Sequence, residues 1–203
     1  MSGHATPMPT LADALWPARV EDEFVRNATL MVFGFCLLTL SAKIQVPFWP
    51  VPMTMQTFVV LVIGMAYGRR LGSATVLAYL IAGASGLPVL AGTPERGIGL
   101  LYMMGPTGGF LVGFLVAAAV VGYLGDRGWD RSFLATAAAM IVGQAIISFA
   151  GVVWLANSFG VPKAIEVGFM PFLASSALKT VLGIVAMPLV WKLIGRRSVA
   201  RQV

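Results

Sequence analysis

Residues 108–124 read GGFLVGFLVAAAVVGYL, an apolar stretch that contains no charged side chain. A helix needs about 17 to 25 mostly apolar residues to cross the hydrocarbon core of a bilayer. Helices at the surface of soluble proteins normally carry polar residues on the face that meets water. The stretch therefore predicts a transmembrane helix and indicates an integral membrane protein.

Composition extends this prediction to the whole chain. Hydrophobic residues make up 58% of the 203 residues and charged residues only 11%, whereas about a quarter of a soluble domain is charged. We expect one all-α membrane domain, with a cytoplasmic or interfacial segment over residues 1–27 and a six-helix transmembrane bundle over residues 28–196. The predicted helices lie at about residues 28–44, 53–67, 71–86, 108–124, 133–156 and 171–194, with a long outer loop between the third and fourth.

The basic residues predict the orientation of these helices. With the N-terminus inside, ten of the fourteen Lys and Arg residues fall on the cytoplasmic side. Only Lys43, Arg96, Lys163 and Lys179 fall on the outer half. Because loops rich in Lys and Arg stay in the cytoplasm, both termini are expected there.

Several classes of function are disfavoured. The charges form no basic stripe with interleaved aromatics, so nucleic acid is not an expected partner. Cys36 is the only cysteine and His4 the only histidine, so we expect no disulfide, no metal site and no cofactor. No phosphate-binding loop ending in Gly-Lys-Ser/Thr is present, so ATP-driven transport would need partner subunits.

These observations favour a protein that handles a small solute rather than an enzyme. An autonomous secondary carrier or channel is an alternative. An intramembrane enzyme using Ser175 or Ser176 with Lys179 is a further, weaker one.

Three outer segments, residues 46–57, 86–109 and 157–171, hold the Pro, Gly and polar clusters. Irregular backbone at membrane depth needs protein or a water-filled cavity to satisfy its polar groups. The segments therefore favour a cavity that opens to the outside, although three ordinary surface loops remain the alternative.

Lys179 is the strongest single candidate for a binding residue. It lies inside the sixth predicted helix, and Ser175, Ser176 and Lys179 share one helical face. An intramembrane charge is costly and is by default a functional candidate; the alternative is that its long stem reaches the interface. It could meet an anionic or carbonyl-bearing ligand.

Other polar residues interrupt the apolar runs. Thr54 and Gln56 begin the second helix beside Trp49, and a Gln side chain suits an amide- or urea-like group because it both donates and accepts. Tyr79 and Gln144 lie within the third and fifth helices. Helix capping for the first pair, and interhelical hydrogen bonds for the second, are the alternatives.

Ala74, Ala78 and Ala82 recur every fourth residue along the third helix. Small residues at this spacing let helices approach closely. The stripe predicts either internal packing or a docking face for a partner subunit.

The chain resembles the BioY family in four motifs that occur in the same order. They are residues 51–57 (VPMTMQT), residues 79–83 (YLIAG) leading into 86–92 (GLPVLAG), residues 105–114 (GPTGGFLVGF), and residues 171–173 (PFL) followed by 178–179 (LK). The resemblance implies a biotin-binding subunit of an energy-coupling-factor (ECF) transporter in the bacterial cytoplasmic (inner) membrane. Its partners would be a transmembrane coupling subunit and two cytoplasmic ATPase subunits.

The resemblance also implies a pocket closed by the loops after the first and third helices, in a subunit that tilts to deliver its ligand inward. Phe48, Trp49, Tyr79, Met103 and Met104 would suit the apolar rings of biotin. Thr54, Gln56 and Lys179 would fix its orientation. Ser176 stands where the family commonly has Asp, so Lys179 is expected to lack a local carboxylate and to meet the ligand directly.

Overall fold

The computed structural model describes residues 8–17, 22–46 and 49–200, with side chains as far as Ile194. The chain is mostly helical. In order, its elements are α1 (Leu11–Leu15), α2 (Glu23–Lys43), β1 (Gln45–Val46), β2 (Met53–Thr54), α3 (Gln56–Ala84), α4 (Gly99–Met103), α5 (Gly108–Gly125), a 3-10 turn (Trp129–Arg131), α6 (Phe133–Phe159), α7 (Val161–Gly168) and α8 (Phe172–Ala200).

Four helical spans are long and apolar enough to cross a membrane: Glu23–Lys43, Gly108–Gly125, Phe133–Phe159 and Phe172–Ile194. Their outward side chains are largely apolar, and Phe24 and Leu134 each expose 84% of their surface. Soluble monomers rarely expose extended apolar patches of this kind. The structure is therefore that of an all-α membrane protein whose outer surface faces lipid.

Helix α3 consists of two helical segments joined by a sharp reversal at Gly68. The backbone of Gly68 has φ 77° and ψ 177°, a conformation that residues with a Cβ rarely adopt. A Cβ on Gly72 would lie 2.9 Å from the Cα of Gly64, although eight residues of straight helix would separate them by about 12 Å. The chain therefore folds back at Gly68, and the second and third predicted helices are separate segments.

Glycines allow the central helices to pack closely. Helix α3 packs along α5, where a Cβ on Gly64 would lie 2.8 Å from the carbonyl oxygen of Ala118. Helix α5 packs along α6, where a Cβ on Gly113 would lie 2.9 Å from the Cα of Ile147. Helix α2 packs mainly on α3, and α8 mainly on α6. Helices α8 and α3 contact each other less, and both line a cavity.

The first long helix begins earlier than the sequence predicts. Helix α2 starts at Glu23, inside the segment 1–27 that was expected to precede the bundle. Arg26, in its first turn, is only 5% exposed and forms an ion pair of 2.7 Å with Asp13 of α1. Charged residues lower the mean hydropathy of a segment. A search for apolar runs therefore could not find the first turn of α2, which contains Glu23 and Arg26.

The outer segments contain more regular structure than expected. Strands β1 and β2 form an antiparallel hairpin that pairs Gln45 with Thr54 and Val46 with Met53, and α4 lies in the loop between α3 and α5. The expectation that residues 157–171 are irregular was wrong, because most of them form α7. Gly160, with φ 76°, ends α6, and Pro162 lies in the first turn of α7, a position where its missing N–H costs nothing.

Candidate ligand-binding site

A cavity with an empty volume of about 580 Å³, counted with its mouth, lies between the hairpin and helices α3, α4, α5, α6 and α8. The lining residues include a polar set, Thr54, Gln56, Thr57, Thr107, Gln144, Ser148, Ser176 and Lys179, and an apolar or aromatic set, Val51, Pro52, Ala91, Tyr102, Phe110, Leu111, Phe114, Ile147 and Phe172.

Lys179 bridges α8 to the start of α3. Its Nζ donates to the carbonyl oxygen of Thr54 at 2.6 Å and to Oγ1 of Thr57 at 2.9 Å, and the residue is 4% exposed. Within the described residues no carboxylate pairs with it. An ammonium group has three donors, so one donor and an uncompensated charge remain on the cavity wall.

The position of Thr54 and Gln56 follows from the hairpin. Strand β2 ends at Thr54, whose hydroxyl accepts from the backbone N–H of Gln56 at 3.3 Å, where α3 begins. This contact satisfies one of the N–H groups that a helix start leaves unpaired. The helix therefore begins at the cavity, with both side chains on its wall.

Gln56 belongs to a chain of hydrogen bonds that leads out to the loop after α3. Its Nε2 donates to the hydroxyl of Tyr79 at 2.7 Å, and that hydroxyl donates to the carbonyl oxygen of Val89 at 2.7 Å. Tyr79 is fully buried, with its ring edge-on to Phe35 at 5.8 Å. Tyr79 therefore stands behind Gln56 and supports it from outside the cavity wall.

The side chain of Gln144, on α6, has an unsatisfied hydrogen-bond donor at the cavity. It is 7% exposed, and its Nε2 has no hydrogen-bond partner within the described chain. Buried polar groups are nearly always hydrogen-bonded, and each exception needs an explanation. A ligand acceptor group in the cavity would supply the missing partner.

The apolar wall comes from α5, α6 and α8. Phe110 and Phe114 lie one turn apart on α5, and the rings of Phe110 and Phe172 lie 5.8 Å apart with tilted planes. Ile147, one turn beyond Gln144, is 2% exposed. The surface suits a small ligand that has both an apolar body and polar ends.

The loop between α3 and α4 is tied down over this region by side chains from other elements. Lys43 donates from α2 to the carbonyl oxygens of Thr93 at 2.8 Å and of Leu90 at 3.3 Å. The hydroxyl of Tyr102 donates to the carbonyl oxygen of Ala91. Burial raises the pKa of Tyr102, so its phenol stays protonated and can donate at neutral pH. These hydrogen bonds therefore hold the loop in place over the cavity.

The structure brings five of the eight predicted binding residues together around the cavity: Thr54, Gln56, Gln144, Ser176 and Lys179. Whether they contact a ligand stays a prediction. Tyr79 touches Gln56 from behind. Trp49 is 68% exposed and packs edge-on against Phe159, and Met104 is 72% exposed; neither lines the cavity.

Other predicted residues have different surroundings. Met103 is partly buried against the core, and Phe48 lies outside the described residues. The bonds of Lys179 run to α3 and the hairpin, so the described structure shows no bonded Ser-Lys pair. Ala74, Ala78 and Ala82 are half-buried along one side of α3.

Several lining residues escaped the sequence analysis. Ser148 lies one helical turn after Gln144, and Phe172 one turn before Ser176. Extending each candidate by helical spacing could have found both. Thr57 and Tyr102 carry no such signal, because their place on the wall depends on the hairpin and on α4.

The fold and this cavity define a class: an integral membrane protein with an internal site for a small ligand. The sequence model described as the BioY family matches residues 8–196. The chain belongs to the BioY family.

Relatives support this assignment. The chain is 33% identical over 160 residues to the "Probable biotin transporter BioY" of Pyrococcus horikoshii, covering 79% of this chain and 93% of that protein. It is 36% identical over 148 residues to the "Biotin transporter BioY" of Thermotoga maritima, covering 72% and 84%. It also resembles the crystal structure of "the S-component for biotin from an ECF-type ABC transporter", with a TM-score of 0.72, 22% identity, and coverage of 86% of this chain and 95% of that one. This last similarity shows that the two chains share a fold.

Proposed function

We propose that this chain is the high-affinity biotin-binding subunit of a transporter that takes up biotin across the cytoplasmic membrane. One observation carries the proposal most directly: among the described residues, the buried Lys179 at the cavity has no carboxylate partner and the amide nitrogen of Gln144 has no hydrogen-bond partner. Buried charges are normally paired, and a ligand that supplies both partners would satisfy the site. The names of the relatives support biotin as that ligand.

The chemistry of biotin matches the wall of the cavity. Its carboxylate would pair with Lys179. Its ureido group, which both donates and accepts, would meet the amides of Gln56 and Gln144. Its fused rings would lie against Phe110, Phe172 and the apolar residues around them.

The membrane topology belongs to this proposal. Four helical spans, together with the two segments of α3, would make six crossings, with both termini cytoplasmic as the basic residues predict. The hairpin and the loop after α3 would then face outward, and the cavity would take its ligand from the outer side of the inner membrane.

Transport would require partner subunits. The sequence has no ATP-binding loop, so a transmembrane coupling subunit and two cytoplasmic ATPase subunits of an ECF transporter would supply the energy. The half-buried stripe of Ala74, Ala78 and Ala82 is the proposed docking face, because small residues allow a partner helix to approach closely.

The test is equilibrium binding of labelled biotin to the purified protein in detergent, with other vitamins as competitors. We expect saturable binding that only biotin displaces. Lys179→Met keeps the apolar stem and removes the charge, and it should weaken binding by about 30-fold or more. Biotin methyl ester should bind the wild type weakly and lose little more in the variant.

Lys163→Met is the matched control, since Lys163 is exposed on α7 and pairs with Glu166 at 2.9 Å. A folded wild type that does not bind biotin would refute the proposal. An autonomous carrier for another solute would then be the better interpretation.

A further inference from the structure

Hydrogen bonds to residues outside the cavity fix the orientation of the Gln56 amide on the cavity wall. Val89 offers a backbone carbonyl, which can only accept a hydrogen bond. The hydroxyl proton of Tyr79 is therefore committed to Val89. The oxygen of that hydroxyl is left to accept, and the group within reach is the amide of Gln56.

The directions of these two hydrogen bonds decide whether the oxygen or the nitrogen of the Gln56 amide faces the cavity. Oxygen and nitrogen of a Gln side chain can be told apart only through the hydrogen bonds they make. Because Tyr79 must accept, the NH₂ group of Gln56 must point at it. The oxygen Oε1 is then on the cavity side, where its described contact is a long one of 3.5 Å from the hydroxyl of Thr54.

We infer that Tyr79 is a positioning residue, which fixes Gln56 so that it presents a hydrogen-bond acceptor to the ligand and selects a ligand N–H. The inference rests on the proposed function, since the ligand N–H would be one from the ureido group of biotin. The second amide on the wall, Gln144, presents an unsatisfied donor and would meet the ureido carbonyl. The site would thus distinguish the donor and acceptor atoms of the ureido group through two amides of opposite polarity.

The test uses isosteric ligands, so that polarity changes while shape does not. In two isomeric cyclic-carbamate analogues of biotin, a ring oxygen replaces one or the other ureido N–H, and a donor becomes an acceptor. Against wild-type protein, we expect one isomer to bind about 5- to 30-fold more weakly than biotin, because its oxygen would face Oε1 of Gln56. The measured quantity is the ratio of the two dissociation constants, carbamate over biotin.

Tyr79→Phe removes the hydroxyl and keeps the ring, so the amide of Gln56 is free to turn its NH₂ group toward the carbamate oxygen. The ratio should fall toward one. Tyr67→Phe is the matched control, because it also removes a partly buried tyrosine hydroxyl from α3 at a position that does not line the cavity. In the control, affinity for both ligands can change, but the ratio should remain as in the wild type.

Gln56→Met gives an independent check should Tyr79→Phe not fold, since removal of the acceptor should also abolish the ratio. A wild type that binds biotin and both carbamates equally would overturn the inference and leave the proposed function standing. A ratio that persists in Tyr79→Phe or in Gln56→Met would overturn it as well. Failure of the folded wild type to bind biotin at all would refute the proposed function, and this inference with it.

Discussion

Gln144 offers a test in which stability and binding should change in opposite directions. Its Nε2 is buried without a partner in the described chain, and burying an unbonded amide costs about 1–3 kcal/mol. Gln144→Met removes the polar atoms at nearly constant side-chain length. After allowance for imperfect packing of the new side chain, we expect the ligand-free protein to gain about 1 kcal/mol in free energy of unfolding. For a chain of this size that corresponds to a rise in Tm of about 2–4 °C.

The same substitution should weaken binding of biotin, because in the proposed site the ligand acceptor would lose the donor of Gln144. One hydrogen bond to a buried partner is worth about 1–2 kcal/mol, so the dissociation constant should rise about 5- to 30-fold. Thermal unfolding of the ligand-free protein in detergent and equilibrium binding measure the two effects on one preparation. Gln45→Met, the same change at an exposed hairpin position, should alter neither. A variant that is less stable, or that binds biotin as the wild type does, would refute the assignment of Nε2 to the ligand.

Three further outcomes are expected elsewhere in the fold. A Cβ on Gly151 would lie 2.3 Å from the ring of Phe110, so Gly151→Ala should push that ring into the cavity and weaken biotin binding about tenfold or more; unchanged affinity would contradict the packing. Burial raises the pKa of Asp130, whose carboxylate accepts from Trp191 at 2.5 Å. Because the pKa is higher in the folded than in the unfolded state, the free energy of unfolding falls as the pH rises through the raised pKa. Asp130→Asn should therefore unfold at higher temperature than the wild type near pH 7, and this difference should shrink as the pH falls toward the ordinary carboxyl pKa; a constant difference would contradict it. Lys43→Met should leave the helices intact and increase hydrogen exchange across residues 87–98, because it removes hydrogen bonds to this loop that are worth about 1–3 kcal/mol. Equal exchange in both proteins would show that other contacts hold the loop.

The long helices could be predicted from the sequence because lipid imposes a simple rule. Every backbone polar group in hydrocarbon must be satisfied within its own segment, so the run at residues 108–124 had to be helical, and α5 spans Gly108–Gly125. The short elements α1, α4 and α7 follow no such rule. Their ends depend on local hydrogen bonds such as the reciprocal capping box between Thr10 and Asp13, which hydropathy does not register.

The candidate site could be predicted only in part, for a related reason. Lys179 and Gln144 stood out because polar groups are costly inside apolar helices. Trp49 was expected on the wall because its aromatic ring suits an apolar ligand, yet its side chain is largely exposed and does not line the cavity. The support that Tyr79 gives to Gln56 joins residues 23 positions apart, and no spacing pattern within one helix could reveal it.

In the proposed topology, the reversal at Gly68 would also limit the membrane thickness that the protein can match. The segments on either side of it, residues 56–67 and 69–84, rise about 18 Å and 24 Å at 1.5 Å per residue, against a hydrocarbon core of about 30 Å. The first segment is largely enclosed by other helices, but Leu77 and Ile81 of the second are 44% and 60% exposed. In the proposed topology, lipid beside the second segment would therefore have to thin, and a short flank costs fractions of a kcal/mol per Å of mismatch. In a thicker bilayer this cost would grow on the flank that holds Leu77 and Ile81, which would favour a tilt of the molecule toward that side.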